Sequence, residues 1–529
     1  ERAALRRAVA VVSPVRGCAM WRLPIRLPFS PKPPAVPATA PPPLLSEIAD
    51  RPALVILLLL LSALVLIFVS RQWRWRAKGY PGTASWFWLP GVGHAPAYLL
   101  APRQFIARAH RRNGGKPFVL DVFNHRFVVA DGRWSGVMFR AAELDFQAGV
   151  KQLMNFDLTL GADMFKPADV HGTTVQILTL RQDFTPRMGD YIGCMTLECL
   201  QVADRQFATA AAVPDAKAFA LEMVARASTR VLIGGRLCAQ DELMTTLTSF
   251  SEHVGNVTNL SAVLPTSLIQ KMTEQVNQAH KVIERYLIPE IRQRREEMAT
   301  GAKGGDDFLG GLLRQSELDG EPLSEVRLCR LIGIMVFAAY HTTTHALTHL
   351  LYDLAARPDI RERIHAEQRA ARARSGSGAL SEEVISSHMP LLDAAIRESQ
   401  RLSTGALNPV RKVTSDIRCP DGTVIPKGAI LALSPWLVHH DTDLYPEPLE
   451  FKLERFAGKP TPPARQFLAF GGGKHQCPGR FFAMLEIKCL VSAIFSKYDV
   501  AGDTLAPYDF SNGLCERKRM TLTLSALKA

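Results

Sequence analysis

Residues 467–490 read FLAFGGGKHQCPGRFFAMLEIKCL, and this stretch restricts the possible folds of the chain more than any other. Its second half has the apolar spacing of an amphipathic helix, which places Glu486 and Lys488 on the polar face. Cys477 comes just before that helix, where the helix dipole and loop N–H groups favour a thiolate. The glycines of Gly471–Gly473 would let the backbone approach a flat ligand without Cβ clashes. A free core cysteine in a glycine turn is the alternative.

The residues around Cys477 favour a ligand-binding cysteine over a free core cysteine. The motif F-x-x-G-x-[R/H]-x-C-x-G is matched by Phe470, Gly473, His475, Cys477 and Gly479. It resembles the haem-thiolate loop of the cytochrome P450 family. The resemblance implies that Cys477 is the axial ligand of haem iron, and a thiolate ligand favours cleavage of the O–O bond.

The same resemblance assigns cofactor-binding roles to other loop residues. Phe470 and Gly473 would belong to the haem-binding loop. His475 stands where most members carry an arginine, and the charge of an imidazole depends on pH. A contact from His475 to a haem propionate is therefore less secure than the contact an arginine would make.

Three further matches follow the order expected for that family. AIRESQRLS supplies Glu398 and Arg401, three residues apart and so on one helix face, and Arg455 in EPLEFKLERFAG would complete a Glu-Arg-Arg cluster. An ordinary surface ion pair, stabilising by less than about 1 kcal/mol, is the alternative for Glu398 and Arg401. Arg411 in NPVRKVT and His439 in SPWLVHHDTDLYPEPLEF match positions that often approach a haem propionate.

The segment AAYHTTTHALTH resembles the part of the family's long central helix that lies above the haem. Ala338 and Ala339 are small enough to leave room for O2 and substrate. The resemblance implies that Thr342 supports proton delivery through its hydroxyl and water. His341 stands where an acid is usual in the family. The His-Thr-Thr sequence resembles that of fungal-type microsomal members of secondary metabolism, and His341 would relay protons or pack.

Three histidines spaced by four residues also raise the possibility of a metal site. His341, His345 and His349 would share one helix face. However, the stretch lacks the glutamate of H-E-x-x-H, and no nearby acid supplies a general base. We therefore expect no zinc here, and we expect His345 and His349 to be structural.

The N-terminal region differs in composition from the rest. Residues 1–50 are rich in proline and alanine and predict disorder; Met20 is a candidate start within them. Residues 51–70 predict a transmembrane anchor, because Ala53–Val69 carries no charge and would span about 26 Å at about 1.5 Å per residue. A buried helix or a signal peptide is the alternative. Residues 71–82 predict a basic Pro/Gly hinge whose charges place the following residues in the cytosol.

Residues 83–529 predict one mainly helical domain with small β-sheets, the cytochrome P450 fold that the resemblance implies. Helical patterns occupy 103–112, 186–210, 215–235, 265–299, 324–356, 358–373 and 391–402, and the strand-like pieces are KPFVLDVF, HRFVVAD, NPVRKVT, TVIPKGAIL and RMTLTLSAL. Nine scattered cysteines without a C-x-x-C pair favour a reducing compartment. The net charge of +13 comes without a compact basic and aromatic repeat, so nucleic acid is the least favoured partner.

The resemblance implies a monooxygenase of the endoplasmic reticulum membrane, with a single anchor and a cytosolic catalytic domain. Haem b and O2 would be its cofactors, and electrons would come from NADPH through a separate NADPH-cytochrome P450 reductase, with cytochrome b5 as a further partner. The substrate would be lipophilic, with a terpenoid as the first candidate, and residues 145–162 would cover it. A haem-thiolate isomerase or dehydratase and a non-catalytic haem carrier or sensor are the alternatives.

Overall fold

The computed structural model describes most of the chain from residue 78 onward. The described residues are 78–85, 88–89, 91–123, 125–154, 156–160, 174–210, 212–261, 266–318, 322–374, 380–419, 421–502, 508–509, 516–517 and 520–527, with scattered positions between 56 and 70. The predicted disordered segment 1–50, most of the predicted anchor 51–70 and most of the predicted hinge 71–82 lie outside them. The chain divides into two units, Glu1–Phe68 and Val69–Ala529.

Within the predicted anchor the structure describes only separate positions, and all of them are helical. Large apolar side chains at seven of them are more than half exposed: Ile56, Leu59, Leu60, Val65, Leu66, Ile67 and Val69. Within the described part of the chain, no helix combines the length and the apolar character that a bilayer crossing requires.

Helices form most of the second unit. They are α1 (Ala95–Leu100), α2 (Pro102–Arg112), α3 (Ser135–Arg140), α4 (Phe146–Met154), α5 (Phe156–Thr159), α6 (Val175–Thr179), α7 (Ile192–Thr209), α8 (Ala216–Ile233), α9 (Gly235–Cys238), α10 (Asp241–Ser261), α11 (Thr266–Ala299), α12 (Phe308–Leu318), α13 (Glu325–Ala355), α14 (Pro358–Arg374), α15 (Glu382–Ser387), α16 (Pro390–Leu402), α17 (Pro435–His439) and α18 (Arg480–Lys497). Helix α13 is the central one: α8, α10, α11 and α16 all contact it.

The strands are short and form small sheets. They are β1 (Gly82–Thr83), β2 (Phe118–Val122), β3 (His125–Ala130), β4 (Leu144–Asp145), β5 (Ala212–Val213), β6 (Val410–Val413), β7 (Ile417–Arg418), β8 (Val424–Ile425), β9 (Ile430–Leu433), β10 (Tyr498–Gly502), β11 (Tyr508–Asp509), β12 (Glu516–Arg517) and β13 (Leu522–Ala526). Six strands form the largest sheet, in the order β1-β2-β3-β9-β6-β4, and β10-β13-β5 form a three-stranded sheet. Within the largest sheet, β3 and β9 are parallel with Phe127 opposite Ile430, and β9 and β6 are antiparallel with Leu431 opposite Arg411.

The architecture confirms the expected mainly helical fold with small sheets. Each predicted helical segment contains a helix, and each strand-like piece contains a strand. The predicted segments miss two of the longer helices, α10 and α12, as well as several short ones. In α10 the sequence MTTLTSF contains three threonines, and such β-branched residues are weak helix formers. This helix forms because Leu243, Leu247 and Phe250 are fully buried in the main core.

The prediction that Glu486 and Lys488 form a polar face of α18 is wrong. Every residue from Leu485 to Phe495 is buried, including Glu486 and Lys488. The physical reason is that several helices surround α18: α7, α8, α13 and α16 all contact it. The two charged positions are accommodated separately. Lys488 Nζ pairs with Asp393 at 2.8 Å, whereas Glu486 hydrogen-bonds to Ser228.

Candidate active site

The loop before α18 is closed by backbone hydrogen bonds at both ends. The N–H of Cys477 donates to the carbonyl of Phe470 at 3.0 Å, and the N–H of Gly471 donates to the carbonyl of Leu468 at 3.0 Å. Helix α18 begins at Arg480, with Gly479 as its N-cap residue. The thiol of Cys477 therefore lies two residues before the N-cap, as the motif predicts, at the positive end of the helix dipole.

The glycines of this loop serve two different purposes. Gly471 has φ +65°, and a Cβ there would meet open space, so it leaves room beside the loop. A Cβ at Gly472 would come within 2.8 Å of the Phe139 ring, and one at Gly473 within 2.8 Å of Phe139 Cβ. Gly471 thus leaves space for a ligand, whereas the packing against α3 is a further reason for glycine at Gly472 and Gly473.

Opposing effects act on the thiol of Cys477. Burial raises its pKa, while a hydrogen bond from the backbone N–H of Gly479 and the charge of Arg480 lower it. Burial has the larger effect in the protein alone, contrary to the expectation that the loop by itself favours a thiolate. A metal ion bound to the sulfur would reverse the balance, because a coordinating thiol is deprotonated by the metal.

Arg411 and His475 lie on the same aromatic ring, that of Phe146. The guanidinium of Arg411 lies 4.7 Å from the centre of that ring, and the imidazole of His475 stacks on it with ring centres 4.7 Å apart. Helix α4 brings Phe146 there because Gly149 allows the helix to approach β6: a Cβ at this glycine would come within 2.9 Å of the backbone nitrogen of Lys412. The structure thus brings the two predicted propionate contacts together, and sequence reasoning missed Phe146, which links them.

The positive charges of Arg411 and Lys474 outweigh the nearby acid Asp145, which has the smallest effect on the pKa of His475. Arg411 is buried, its Nη1 donates to the carbonyl of Val410 at 2.7 Å, and no carboxylate among the described residues pairs with it. Burial lowers its pKa to about 10. Burial, then the charges of Arg411 and Lys474, lower the pKa of His475 to about 4. This corner of the site therefore suits a bound anion.

His439 occupies a different environment from Arg411. Its side chain is fully buried, and its Nε2 accepts a hydrogen bond from the N–H of Leu468 at 2.8 Å. The proton must therefore be on Nδ1, which lies 3.3 Å from the carbonyl of Arg401. Burial is the main cause that lowers the pKa of His439 to about 3. Since both ring nitrogens already have protein partners, the predicted propionate contact would require His439 to exchange one of them.

Glu398, Arg401 and Arg455 form one buried cluster. The Nε of Arg401 donates to Glu398 Oε2 at 2.8 Å, and the Nε of Arg455 donates to Glu398 Oε1 at 3.1 Å. Glu398 and Arg401 are both completely buried, so the alternative of an ordinary surface ion pair does not apply. The cluster joins α16 to the segment that leads to the Cys477 loop, because Arg401 Nη1 also donates to the carbonyl of His439.

One face of α13 is open although the helix is otherwise largely buried. Ala338 and Thr342, one turn apart, are exposed, while the neighbouring Tyr340 and Thr343 are buried. The hydroxyl of Thr342 donates to the carbonyl of Ala338 at 2.7 Å. Its oxygen keeps lone pairs on the open face, where it can accept a hydrogen bond from a ligand or water.

The three histidines of α13 do not act as one group. The ring of His341 is parallel to that of Phe337, with centres 6.0 Å apart, and lies near Gly255 of α10, where a Cβ would be 3.6 Å from its Cε1. His345 and His349 lie against each other at 4.4 Å, and His345 Nε2 lies 3.4 Å from the carbonyl of Ser403. In the described part of the chain, no three ligand-type side chains converge on a possible metal position.

Comparisons with known sequences identify one protein family. The family model described as Cytochrome P450 matches residues 180–518. Over 300 residues the chain is 31% identical to cytochrome P450 monooxygenase 71 of Postia placenta, covering 53% of this chain and 58% of that protein. Over 347 residues it is 28% identical to cytochrome P450 monooxygenase paxP of Penicillium paxilli, covering 62% of this chain and 67% of that protein. The match thus spans less than two thirds of the first relative's length.

A solved structure shares the fold. The retinoic-acid-bound cyanobacterial CYP120A1 superimposes with a TM-score of 0.67, covering 85% of this chain and 99% of that chain at 23% sequence identity. At this level of identity the likeness establishes the fold and leaves the ligand and substrate of this chain open.

Proposed function

The chain belongs to the cytochrome P450 family, and from this premise we propose that it is a haem-thiolate monooxygenase that inserts one oxygen atom of O2 into a lipophilic substrate. The observation that carries the proposal is the position of Cys477, two residues before the N-cap of α18 in a loop closed onto Phe470. Both the sequence motif of this loop and its geometry support Cys477 as the residue that would bind the iron.

The residues present fit a haem. Arg411 is a buried guanidinium that no carboxylate among the described residues neutralises, and a haem propionate supplies that charge. Gly471 leaves open space beside the Cys477 loop. Cys477 would hold the iron, and Arg411 and His475, joined by Phe146, would hold the propionate edge. When bound, the haem supplies the activation of O2, with electrons that come from NADPH.

The chain's own residues would supply the proton path and the space for O2 and substrate. Ala338 on the open face of α13 carries only a methyl group, so it leaves room for O2 and substrate. The Thr342 hydroxyl donates into its own helix and therefore acts toward the site as an acceptor that orients water. His341, the residue before Thr342, replaces the usual acid and would relay protons or pack against Phe337.

Electrons would come through an NADPH-cytochrome P450 reductase, and cytochrome b5 would be a second donor. Next to the Cys477 loop, Lys474 is exposed, and Arg480 lies 4.1 Å above the ring of Phe481, which is 50% exposed. An exposed lysine beside the loop and an arginine on an exposed aromatic ring suit the acidic face of a redox partner. Charge-reversal variants of Lys474 should slow reduction mainly at low ionic strength.

We also propose a single membrane anchor in residues 51–70, with the catalytic domain on the cytosolic side of the endoplasmic reticulum. The exposed apolar side chains at the described helical positions support it, since such residues need a partner that excludes water. A lipophilic substrate would reach the site from the bilayer. The edge-to-face contact of Phe156 with Phe337 supports an apolar wall there, and a terpenoid is the first candidate.

The proposal is tested with membranes that contain the full chain and a reductase. NADPH and isotopically labelled O2 are supplied with a terpenoid panel, and products are identified by mass spectrometry. Incorporation of one labelled oxygen atom per product supports the proposal. Conversion without NADPH would indicate an isomerase or dehydratase instead, and haem binding without any conversion would indicate a carrier or sensor.

A further inference from the structure

Glu486 is a buried carboxyl group that the proposed mechanism does not use. It lies on α18, nine positions after Cys477, and its side chain is completely buried. Its Oε1 accepts a hydrogen bond from the hydroxyl of Ser228 on α8 at 2.6 Å. Its Oε2 is buried without a well-aligned partner, and the side chain of Thr343 on α13 interacts with the same carboxyl. Glu486 thus connects three helices.

Among the described residues, no cation compensates the charge that Glu486 would carry. Burial raises its pKa to about 8, and the hydrogen bonds with Ser228 and Thr343 only partly offset this. Tyr340 on α13 and Cys489 on α18 are the other titratable groups close enough to affect or feel its charge, and burial keeps both neutral. Lys488, two positions further along α18, is paired with Asp393. At neutral pH Glu486 is therefore an uncharged carboxylic acid.

An uncharged acid has the donor and acceptor that this place requires. In the acid, the carbonyl oxygen accepts from Ser228, and a proton on Oε2 is available for the nearby hydroxyl of Thr343. An ionised carboxylate could accept from both hydroxyls, but it would be buried without a cation, which is strongly unfavourable. Loss of the proton would therefore disturb the packing of this carboxyl group between Ser228 and Thr343.

We propose that Glu486 is a positioning residue for Thr342: through Thr343 it fixes the open stretch of α13 against the helix that follows Cys477. This rests on the proposed function, in which Cys477 and Thr342 belong to one site. Residues 342 and 343 are successive on an α-helix, so their side chains point about 100° apart. Holding Thr343 on the buried side sets the direction of the Thr342 hydroxyl on the open side. Displacements of about 1 Å in such groups are enough to lower rates about a hundredfold.

Four variants separate this role from general packing. Glu486→Gln keeps one acceptor and one donor and cannot ionise, whereas Glu486→Met has similar length and makes no hydrogen bond. Thr343→Val removes the hydroxyl that interacts with Glu486. Thr344→Val is the matched control, because Thr344 is equally buried and its hydroxyl has no hydrogen-bond partner in the described structure.

The first measurement is the hydrogen peroxide released per NADPH consumed by the reductase-supported holoprotein, below and above the pKa of Glu486. We expect Glu486→Met and Thr343→Val to raise this ratio several-fold, Thr344→Val to leave it unchanged and Glu486→Gln to restore it. The wild-type ratio should rise above the pKa, and that of Glu486→Gln should not. A wild-type ratio in Glu486→Met, or an equal increase in Thr343→Val and Thr344→Val, would overturn the proposal.

The second measurement does not depend on turnover. The infrared spectrum of the wild-type protein should contain the carbonyl stretch of a protonated carboxylic acid that Glu486→Gln lacks, and this band should disappear at high pH. If the band is the same in both proteins, Glu486 is ionised and the proposal is wrong. A wild-type protein without the haem-thiolate spectrum would instead refute the proposed function, so the two failures are distinguishable.

Discussion

Arg401 donates two parallel hydrogen bonds to the carboxyl group of Glu398, from Nε to Oε2 and from Nη2 to Oε1, each 2.8 Å long. Neither side chain is exposed. The remaining donor of Arg401, Nη1, reaches the carbonyls of His439 and Pro448, both at 2.7 Å. The pair therefore holds α16 to the irregular segment between α17 and the Cys477 loop.

Glu398→Gln should destabilise the fold strongly. It leaves the guanidinium of Arg401 buried without its counter-charge, and breaking a buried pair in this way costs about 3–5 kcal/mol. Chemical denaturation and the haem content of purified protein measure the effect. The matched control is Glu362→Gln, whose partner Arg369 is exposed and whose loss should cost less than about 1 kcal/mol. Equal losses in both variants would show that the cluster has no special role.

Arg411→Met should act in opposite directions on the two forms of the protein. The protein without haem gains stability, because an unpaired charge is no longer buried. The holoprotein releases haem faster, because a propionate loses its counter-charge. Haem transfer to an apoglobin and denaturation of the haem-free form check the two effects. Arg418→Met, on the exposed side of β7, should change neither, and unchanged haem release from Arg411→Met would refute the propionate contact.

Thr342→Val should divert electrons from product to hydrogen peroxide. The valine matches threonine in shape but removes the oxygen that faces the open side of α13, and loss of such assistance lowers rates on the order of a hundredfold. Thr342→Ser keeps an oxygen there and should retain most of the product yield. The ratio of peroxide to product per NADPH is the measurement. A ratio that does not change in the valine variant removes Thr342 from the proton path.

Glu486→Gln should change how stability depends on pH. The ordinary pKa of the side chain is 4.5, whereas burial raises it to about 8 in the folded protein. Between these values the unfolded chain loses the proton and the folded chain keeps it, so the wild-type stability falls as pH rises and levels off above the folded pKa. The glutamine variant lacks this contribution. Unfolding free energies of both proteins across this range should diverge, and parallel curves would contradict the buried neutral acid.

The sequence allowed the Cys477 loop and the Glu398–Arg401 pair to be predicted because both are local. A short motif fixes the loop, and a spacing of three residues on a helix brings opposite charges together. The contacts of Glu486 and Phe146 could not be predicted in this way. Their partners are 258 and 329 positions away along the chain, at Ser228 and His475, and only tertiary packing brings them together.

Helical periodicity also misled the prediction for α18. The 3.6-residue period identifies a polar face only when one side of a helix meets water. Helix α18 is surrounded by other helices, so Glu486 and Lys488 are buried with partners of their own. The predicted anchor and hinge stay predictions, because most of those residues lie outside the described part of the chain.

The most direct test of the account is the spectrum of the reduced protein with carbon monoxide. The wild-type full chain should purify with haem and show the red-shifted Soret band of thiolate ligation. Cys477→Ser should lose that band, while Cys194→Ala, a half-buried cysteine outside the loop whose thiol donates to the carbonyl of Tyr191, should keep it. A thiolate band in Cys477→Ser, or a wild-type haem held only by nitrogen ligands, would contradict the proposal that Cys477 binds the iron.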